Sequence, residues 1–289
     1  EVKLFTGIEE ALADGKFDVV LLAVKAFDTP AVVEQLAVLR TRIPPILCLQ
    51  NGVENEPLIE SKLGRGSVIG ASITTAVRRN APGDVQVEKL RGVAIEGGTP
   101  LSDRLIFWFN RAGLNARGCS NRYSMKWSKL LTNLQVNATS AILNWTPAEV
   151  LRNPLAYQIE VMQLKEALAV MKKMQIKVVD LPGTPARLLV YALTSLPLRL
   201  GRSLVGIPLS KARGGKMPSL QMDLQAGRTQ SEVEFLNGAV VGFGKKFGIN
   251  TPVNQVLTES LAALASGRLA KETYSGKPEL LMKKIEEIS

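Results

Sequence analysis

The sequence predicts an α/β domain with a doubly wound, mostly parallel sheet, followed by an all-helical domain. Two observations carry this prediction. Short apolar runs alternate with helical segments over the first part of the chain, and from Asn121 onward the pattern is almost wholly helical. Strand–helix alternation at this spacing is typical of βαβ units. We therefore expect one domain over residues 1–121 and a second over residues 122–289.

The first domain is predicted to contain strands that are buried on both faces. Residues 17–25 and 46–50 are nearly continuous apolar runs, the pattern of a strand covered by helices on both sides. Ligands of such sheets bind beyond the carboxyl ends of the strands, and Lys25 and Asn51 occupy two of these ends. Taken alone, each is more often an ordinary polar residue that ends a strand.

The remaining elements follow from periodicity and turn residues. We expect a hairpin between residues 85–87 and 92–96, preceded by a turn at 81–84. Further elements of the first domain are helices at 8–14, 29–40, 54–63 and 102–112 and strands at 67–72 and 114–117. In the second domain we expect a loop at 210–218 and helices at 122–144, 154–175, 185–200, 219–227, 231–247 and 253–266.

The stretch at 127–137 groups three polar side chains. A helix turns by 100° per residue, which places Lys129, Asn133 and Asn137 within an arc of about 80°. Apolar residues take the neighbouring sector: Leu130, Leu131, Leu134, Ala138 and Ala141. An ammonium can donate a proton to a carbonyl oxygen while carboxamides hold substrate oxygens. By periodicity alone the stretch favours a solvated stripe on an amphipathic helix, and the alternative is a catalytic face.

Composition narrows the chemistry. The chain is 46% hydrophobic and 21% charged, as in globular proteins, and contains no uncharged apolar run long enough for a membrane span. Histidine is absent, which excludes histidine triads and histidine metal ligands and directs attention to Lys and Glu. The two cysteines, Cys48 and Cys119, lack metal-ligand spacing and suit a reducing compartment. We expect a cytoplasmic protein without a metal.

The net charge of +10 raises the question of nucleic acid. The basic residues are dispersed, with only small clusters such as Lys172-Lys173 and Lys245-Lys246, and no aromatic-interleaved basic stripe accompanies them. A positive field equally favours a phosphate-rich cofactor and an anionic substrate. We expect neither a nucleic-acid partner nor a membrane partner.

Six motifs, taken in order, resemble those of the ketopantoate reductases (2-dehydropantoate 2-reductases). The resemblance extends over residues 17–266. The matching stretches are Val24-Lys25, Gln50-Asn51-Gly52, Trp127-x-Lys129-x-x-x-Asn133-x-x-x-Asn137, Ser219 to Asp223, Gly227 to Gly238 with Glu232, and Pro252-Val253-Asn254.

The resemblance implies a Rossmann-like domain, a helical domain and a site in the cleft between them. It makes Lys129 the proton donor to the substrate carbonyl and gives Glu232 a catalytic role in holding substrate or cofactor. By the same resemblance, substrate is bound by Asn51, Asn133, Asn137 and Ser219, with Ser219 on the carboxylate. The cofactor, NADPH, is contacted by Lys25, Asn51 and Glu232. The implied reaction reduces ketopantoate, a 2-keto acid, to (R)-pantoate for pantothenate and coenzyme A synthesis, and a homodimer is compatible with the family.

Three departures from the family pattern leave alternatives open. The Gly-x-Gly-x-x-Gly turn that binds pyrophosphate occurs nowhere in the sequence, so we expect a longer gene product or weak NADPH binding. One residue is inserted near Gln230, ahead of Glu232, and Pro147 stands where a further substrate asparagine is usual. The alternatives are a reductase of a different 2-keto acid and a truncated, non-catalytic remnant.

Overall fold

The computed structural model describes residues 2–208 and 217–289. The chain forms two compact units. The first contains the residues up to Lys126 together with Leu181–Thr184, and the second contains Trp127–Asp180 and Pro185–Ser289. Most of the loop predicted at 210–218 falls outside the described residues. The domain boundary at residue 121 stays a prediction.

The first unit is built on a mostly parallel sheet. Its strands are β1 (Val20–Leu22), β2 (Ile46–Cys48), β3 (Val68–Ile73), β6 (Val93–Glu96) and β7 (Ala116–Cys119), in the order β1-β2-β3-β6-β7. Every neighbouring pair is parallel except β3 and β6, which are antiparallel. The helices of this unit are α1 (Ile8–Asp14), α2 (Thr29–Val38), α3 (Asn55–Leu63) and α4 (Pro100–Arg111).

Strand β2 has the double-sided burial that its apolar run predicts. Ile46 and Cys48 belong to one hydrophobic cluster and Leu47 to another, because successive side chains of a strand point to opposite faces. The same prediction for residues 17–25 is wrong: the strand is short, and Leu21 is 53% exposed. Within the described sheet β1 is an edge strand, and the face that carries Leu21 is largely uncovered.

The predicted hairpin is also wrong, although its turn is correct. The strand before the turn is β4 (Ala76–Ala81), and it pairs with β5 (Asp84–Lys89) as a separate two-stranded ribbon. The segment at 92–96 contains β6, which pairs with β3 instead. The ribbon buries no apolar face, since Val85 and Val87 are both more than half exposed. Its first strand therefore carries no hydrophobic pattern that could have predicted it.

The second unit is helical. Its elements are α5 (Arg122–Leu134, which begins in the first unit), α6 (Asn137–Leu143), α7 (Pro147–Arg152), α8 (Pro154–Lys173), α9 (Ala186–Ser195), α10 (Leu198–Gly201), α11 (Ser219–Gln225), α12 (Asn237–Phe247), α13 (Pro252–Ala265) and α14 (Pro278–Glu286), with short 3-10 helices at Glu232–Phe235 and Lys271–Thr273. Three predicted helices, at 122–144, 185–200 and 231–247, are each interrupted. None of the helices in the described ranges has the length and apolar character that a bilayer crossing requires.

Candidate active site

In the first unit, Asn51 lies on a tight loop just beyond β2. The loop turns at Gly52, whose φ of 95° is readily adopted only by glycine. Asn51 is exposed. Its backbone oxygen accepts a hydrogen bond from Asn55 Nδ2 at 2.7 Å. The loop is therefore anchored through its backbone, and its side chain can reach a ligand.

Gln50 links this loop to the end of β1. Its Nε2 donates to the backbone oxygen of Val24 at 2.9 Å and to Thr29 Oγ1 at 2.7 Å. Thr29 Oγ1 in turn donates to Asn55 Oδ1 at 2.9 Å. Lys25, half-buried, directly follows Val24. The two predicted cofactor residues of this unit, Lys25 and Asn51, thus follow neighbouring parallel strands, as expected for ligand-binding positions.

A residue that the sequence did not reveal holds these strand ends in place. Lys126 Nζ donates to the backbone oxygens of Gln50 at 2.6 Å and Ala71 at 3.2 Å, and lies 2.8 Å from Glu56 Oε1. The side chains of Lys126 and Glu56 are only 4% and 1% exposed. Nothing in the spacing of Lys126 marked it as a buried ion-pair partner. It positions the loop that carries Asn51.

Arg122 fixes the start of α5 to the same unit. Its guanidinium forms two hydrogen bonds of 3.0 Å to the carboxylate of Glu60 and lies 3.6 Å from Glu96. Desolvation lowers the pKa of Arg122, but its hydrogen bonds to Glu60 and the charge of Glu96 outweigh that effect and raise the pKa. The arginine crosses β3 at Gly70, where a Cβ would come within 2.8 Å of its Cδ. The Arg122 and Lys126 side chains together anchor the first turns of α5 to the sheet and to α3.

In the second unit, α5 carries Lys129 and Asn133 along the margin of a buried face. Trp127, Leu130 and Leu134 are at most 1% exposed, and the Trp127 ring packs edge-on against Phe243 at 5.3 Å between centroids. Lys129 and Asn133, four residues apart, are half-buried. The apolar residues therefore set the rotation of the helix, and the ammonium and amide lie on adjacent turns of one face.

Asn137 is not on that helix, so the continuous helix predicted over 122–144 is wrong. Val136 has a φ of 52°, and α6 begins after it. The buried carboxylate of Glu160 accepts a hydrogen bond from the Val136 backbone N–H at 2.7 Å, which replaces the helical bond lost at the break. The 80° arc therefore holds for Lys129 and Asn133 but does not extend to Asn137.

The break places Asn137 against Ser219, 82 residues away in sequence. Asn137 Oδ1 accepts from the Leu220 backbone N–H at 3.1 Å, and its Nδ2 donates to Ser219 Oγ at 3.5 Å. Asn137 is 6% exposed, whereas Ser219 is exposed. Two of the predicted substrate residues are thus in contact, and both carry donors that suit a carboxylate.

Glu232, at 6% exposure, opens the 3-10 helix Glu232–Phe235. Its predecessor Ser231 caps this helix by accepting from the Val233 backbone N–H at 3.2 Å. A continuous helix over 231–247 was predicted, and the interruption changes the direction in which residues of this segment point. The catalytic roles of Lys129 and Glu232 and the substrate-binding role of Asn133 stay predictions. In the described part of the chain no cluster of three or more acidic or cysteine side chains could hold a metal ion.

Comparison with known families decides the relationship. Residues 121–265, half of the chain, match the family profile described as "Ketopantoate reductase PanE/ApbA C terminal", and residues 3–97 match "Ketopantoate reductase PanE/ApbA". The chain belongs to the ketopantoate reductase family. The family predicted from the six motifs is therefore confirmed, and it is a family of oxidoreductases.

Individual members of the ketopantoate reductase family align over most of their length. The 2-dehydropantoate 2-reductase of Archaeoglobus fulgidus is 25% identical over 256 residues, covering 86% of this chain and 77% of the relative. The enzyme of Aquifex aeolicus is 24% identical over 268 residues, covering 91% of this chain and 80% of the relative.

Solved structures confirm the predicted Rossmann-like sheet followed by a helical region. A PanE/ApbA family ketopantoate reductase from Ralstonia eutropha superposes with a TM-score of 0.72 at 25% identity, covering 89% of this chain and 78% of that structure. D-mandelate dehydrogenase, solved with NADH and anilino(oxo)acetate, gives a TM-score of 0.68 at 20% identity, covering 88% and 77%. The second likeness is one of fold.

Two motif asparagines of this ketopantoate reductase family member form a buried network. Asn237 Nδ2 donates to Gln163 Oε1 and to Asn254 Oδ1, both at 3.0 Å. Glu166 accepts from the backbone N–H groups of Val253 at 2.8 Å and Asn254 at 2.9 Å, which caps α13. Burial raises the pKa of Glu166, and these hydrogen bonds oppose the shift. The network joins α8, α12 and α13, so these motif residues support the helical unit.

Proposed function

We propose that this protein reduces ketopantoate to (R)-pantoate with NADPH, as a cytoplasmic step of pantothenate and coenzyme A synthesis. Family membership supports the reaction class, and the contact between Asn137 and Ser219 is the structural observation that supports the substrate site most directly. Two residues that the resemblance assigns to substrate binding come together although they are far apart in sequence. A solvated polar stripe on a helix would not require Asn137 to contact Ser219.

The chemistry needs an acid beside the carbonyl oxygen. When bound, the nicotinamide supplies the hydride. Negative charge then develops on the carbonyl oxygen, and the Lys129 ammonium donates a proton to it. Asn133 lies one turn away on α5 and orients the same end of the substrate, while Asn137 Nδ2 and Ser219 Oγ donate to the carboxylate. Glu232 holds substrate or cofactor.

The residues of the first unit fit a dinucleotide. A cationic Lys25 and the exposed amide of Asn51 follow adjacent parallel strands, where nucleotides bind in sheets of this kind. The ammonium suits a phosphate or ribose oxygen, and the amide offers both a donor and an acceptor. We propose that these two residues contact NADPH, with Asn51 also contacting substrate.

The proposal is tested by NADPH titration and by ketopantoate-dependent oxidation of NADPH with wild-type protein, Lys129→Ala and the control Lys165→Ala. Lys165 is an exposed lysine of α8 in the same unit. Loss of the proton donor should lower kcat by about 10²–10⁴-fold with NADPH binding retained. Equal activity of wild type and Lys129→Ala would refute the assigned role. A folded wild-type protein that binds no NADPH would favour the non-catalytic alternative.

A related 2-keto acid reductase is the second candidate, and Pro147 is the observation that favours it. Pro147 is buried at the start of α7, directly after Thr146, which forms a reciprocal capping box with Glu149. Proline has no side-chain donor, so one hydrogen bond to the substrate expected from the family is missing. We would compare kcat/KM for ketopantoate with that for unbranched and aromatic 2-keto acids, using NADPH and NADH in parallel. A preference for another acid would select this candidate.

We further propose a homodimer formed through the helical unit. Apolar side chains there are exposed on α9, with Leu188 at 67% and Tyr191 at 68%, and beyond α10, with Leu204 at 65%. Such side chains usually gain from being covered by another protein surface. Light scattering after size exclusion should give twice the mass of the 31.3 kDa chain, and Tyr191→Asp should shift the species toward the monomer.

A further inference from the structure

A buried hydroxyl connects the two strand ends that carry Lys25 and Asn51. Thr29 opens α2 and is 0% exposed. Its Oγ1 accepts a hydrogen bond from Gln50 Nε2 at 2.7 Å and donates one to Asn55 Oδ1 at 2.9 Å. A threonine at the start of a helix ordinarily bonds to the backbone of its own helix. Thr29 bonds instead to side chains of two other segments, so its hydroxyl makes a longer-range connection.

The connection continues from both of these amides to backbone oxygens. Gln50 Nε2 also donates to the backbone oxygen of Val24, the residue before Lys25, at 2.9 Å. Asn55 Nδ2 donates to the backbone oxygen of Asn51 at 2.7 Å. Gln50 and Asn55 are only 6% and 4% exposed, so water does not readily replace a bond that either amide loses. The two branches meet at the hydroxyl.

The direction of each bond follows from the chemistry of its atoms. A carbonyl oxygen only accepts, so the Asn55 amide turns its Nδ2 toward Asn51 and its Oδ1 toward the hydroxyl. The Thr29 proton therefore goes to Asn55, and an oxygen lone pair is left to accept from Gln50. A hydroxyl does both at once. Valine, which has nearly the same shape, does neither and would leave two buried amide atoms unpaired.

We propose that Thr29 is a positioning residue of the dinucleotide site. Its hydroxyl fixes the end of β1, where Lys25 follows, relative to the loop that carries Asn51. The inference rests on the proposed function, in which Lys25 and Asn51 contact NADPH. Thr29 is fully buried and acts through these two residues. Side chains from two separate strands bind one ligand best when their spacing is already set before it arrives.

The first measurement is hydrogen–deuterium exchange of the free protein, followed by mass spectrometry, and it needs no cofactor. Thr29→Val should raise the exchange rates of the backbone amides at 24–26 and 51–53 by about tenfold, because both segments lose an anchor. Thr29→Ser retains the hydroxyl and should exchange like wild type. Thr139→Val is the matched control, since Thr139 is also 0% exposed and its Oγ1 has no hydrogen-bond partner in the part of the chain that the structure describes.

A second variant, Asn55→Ala, removes only one branch of the connection. It should raise exchange at 51–53 and leave exchange at 24–26 at the wild-type rate, since Gln50 still has the Thr29 hydroxyl as its acceptor. This variant decides the inference if Thr29→Val does not fold. Three results would overturn it: unchanged exchange of both segments in Thr29→Val, a Thr29→Ser protein that exchanges like Thr29→Val, or equal increases in both segments of Asn55→Ala.

The second measurement is a fluorescence titration with NADPH. Thr29→Val should raise Kd about tenfold in the otherwise wild-type protein but no more than about threefold in an Asn51→Ala background, because part of its effect acts through Asn51. A general loss of stability would raise Kd by the same factor in both backgrounds, and that result would overturn the inference. A folded wild-type protein that binds no NADPH would refute the proposed function, and the exchange rates alone would then decide whether Thr29 fixes the two segments.

Discussion

At the residue scale, Lys126 is a buried charge that the first unit depends on. Replacing it by methionine leaves the Glu56 carboxylate, 1% exposed, without its cation. Such a loss typically costs about 3–5 kcal/mol. We expect Lys126→Met to lower the free energy of unfolding, measured by urea titration, by an amount in this range. Its loss should also weaken NADPH binding, because the Gln50 backbone oxygen loses its donor.

Two further variants separate this effect from the mere loss of a lysine. Lys62 forms an exposed ion pair with Glu34, so Lys62→Met should change the free energy of unfolding by no more than about 1 kcal/mol. Adding Glu56→Gln to Lys126→Met should restore part of the stability, since a neutral amide needs no counter-charge. If Lys126→Met were as stable as Lys62→Met, the buried pair would not have the importance assigned to it.

Cys48 gives the residue-scale prediction for pH. Burial raises the pKa of its thiol from 9.0 to about 12, with Glu56 adding to the shift and Lys126 opposing it. Between these values the folded protein keeps the proton that the unfolded chain loses. The contribution to stability is therefore complete below pH 9 and is lost as the pH rises toward about 12.

The measurement compares wild type with Cys48→Ala at about pH 8 and about pH 10.5 by urea unfolding. Over this interval wild type should lose about 2 kcal/mol more than Cys48→Ala. Cys119→Ala is the matched control, because that thiol is only partly buried, and it should follow the wild-type curve. Parallel pH dependences of wild type and Cys48→Ala would contradict the prediction.

At the element scale, local pattern predicted those elements whose own residues determine them. Strand β2 was predictable because Ile46, Leu47 and Cys48 form a continuous apolar run. The break between α5 and α6 was not, since a β-branched valine rarely adopts a positive φ. A carboxylate from Glu160, 24 positions along the chain, stabilises it. A distant partner of this kind leaves no periodicity to detect.

The residues of the candidate site likewise fall into those that the sequence could predict and those that it could not. Its chemical groups could be named from motifs, including the pairing partners Asn137 and Ser219. Lys126 could not, because its role depends on the backbone oxygens of Gln50 and Ala71, which become neighbours only when β2 and β3 pair. The prediction that Lys129, Asn133 and Asn137 share one helical face holds for Lys129 and Asn133 only, because α5 ends before Asn137.

The break itself is testable. Glu160→Leu removes the acceptor of the Val136 N–H and should cost about 1–3 kcal/mol of unfolding free energy. Because Asn137 follows directly, KM for ketopantoate should also rise. Glu160→Gln is the matched variant: its Oε1 can still accept, so it should retain most of the stability and the wild-type KM. A Glu160→Leu protein with both quantities unchanged would show that the break is held by packing alone.

At the scale of the whole molecule, the net charge of +10 predicts a positive electrostatic field around the protein. Because the basic residues are dispersed along the sequence, we expect no defined nucleic-acid surface. Dispersed lysines and arginines attract any polyanion, and that attraction depends on counterion release. We expect duplex DNA, measured by fluorescence anisotropy, to bind weakly at 50 mM salt and to lose at least about tenfold in affinity by 200 mM. NADPH has fewer charges and directed contacts through Lys25 and Asn51, so its affinity should fall much less. DNA binding that resisted salt, or that depended on sequence, would show a recognition surface that the charge pattern does not predict.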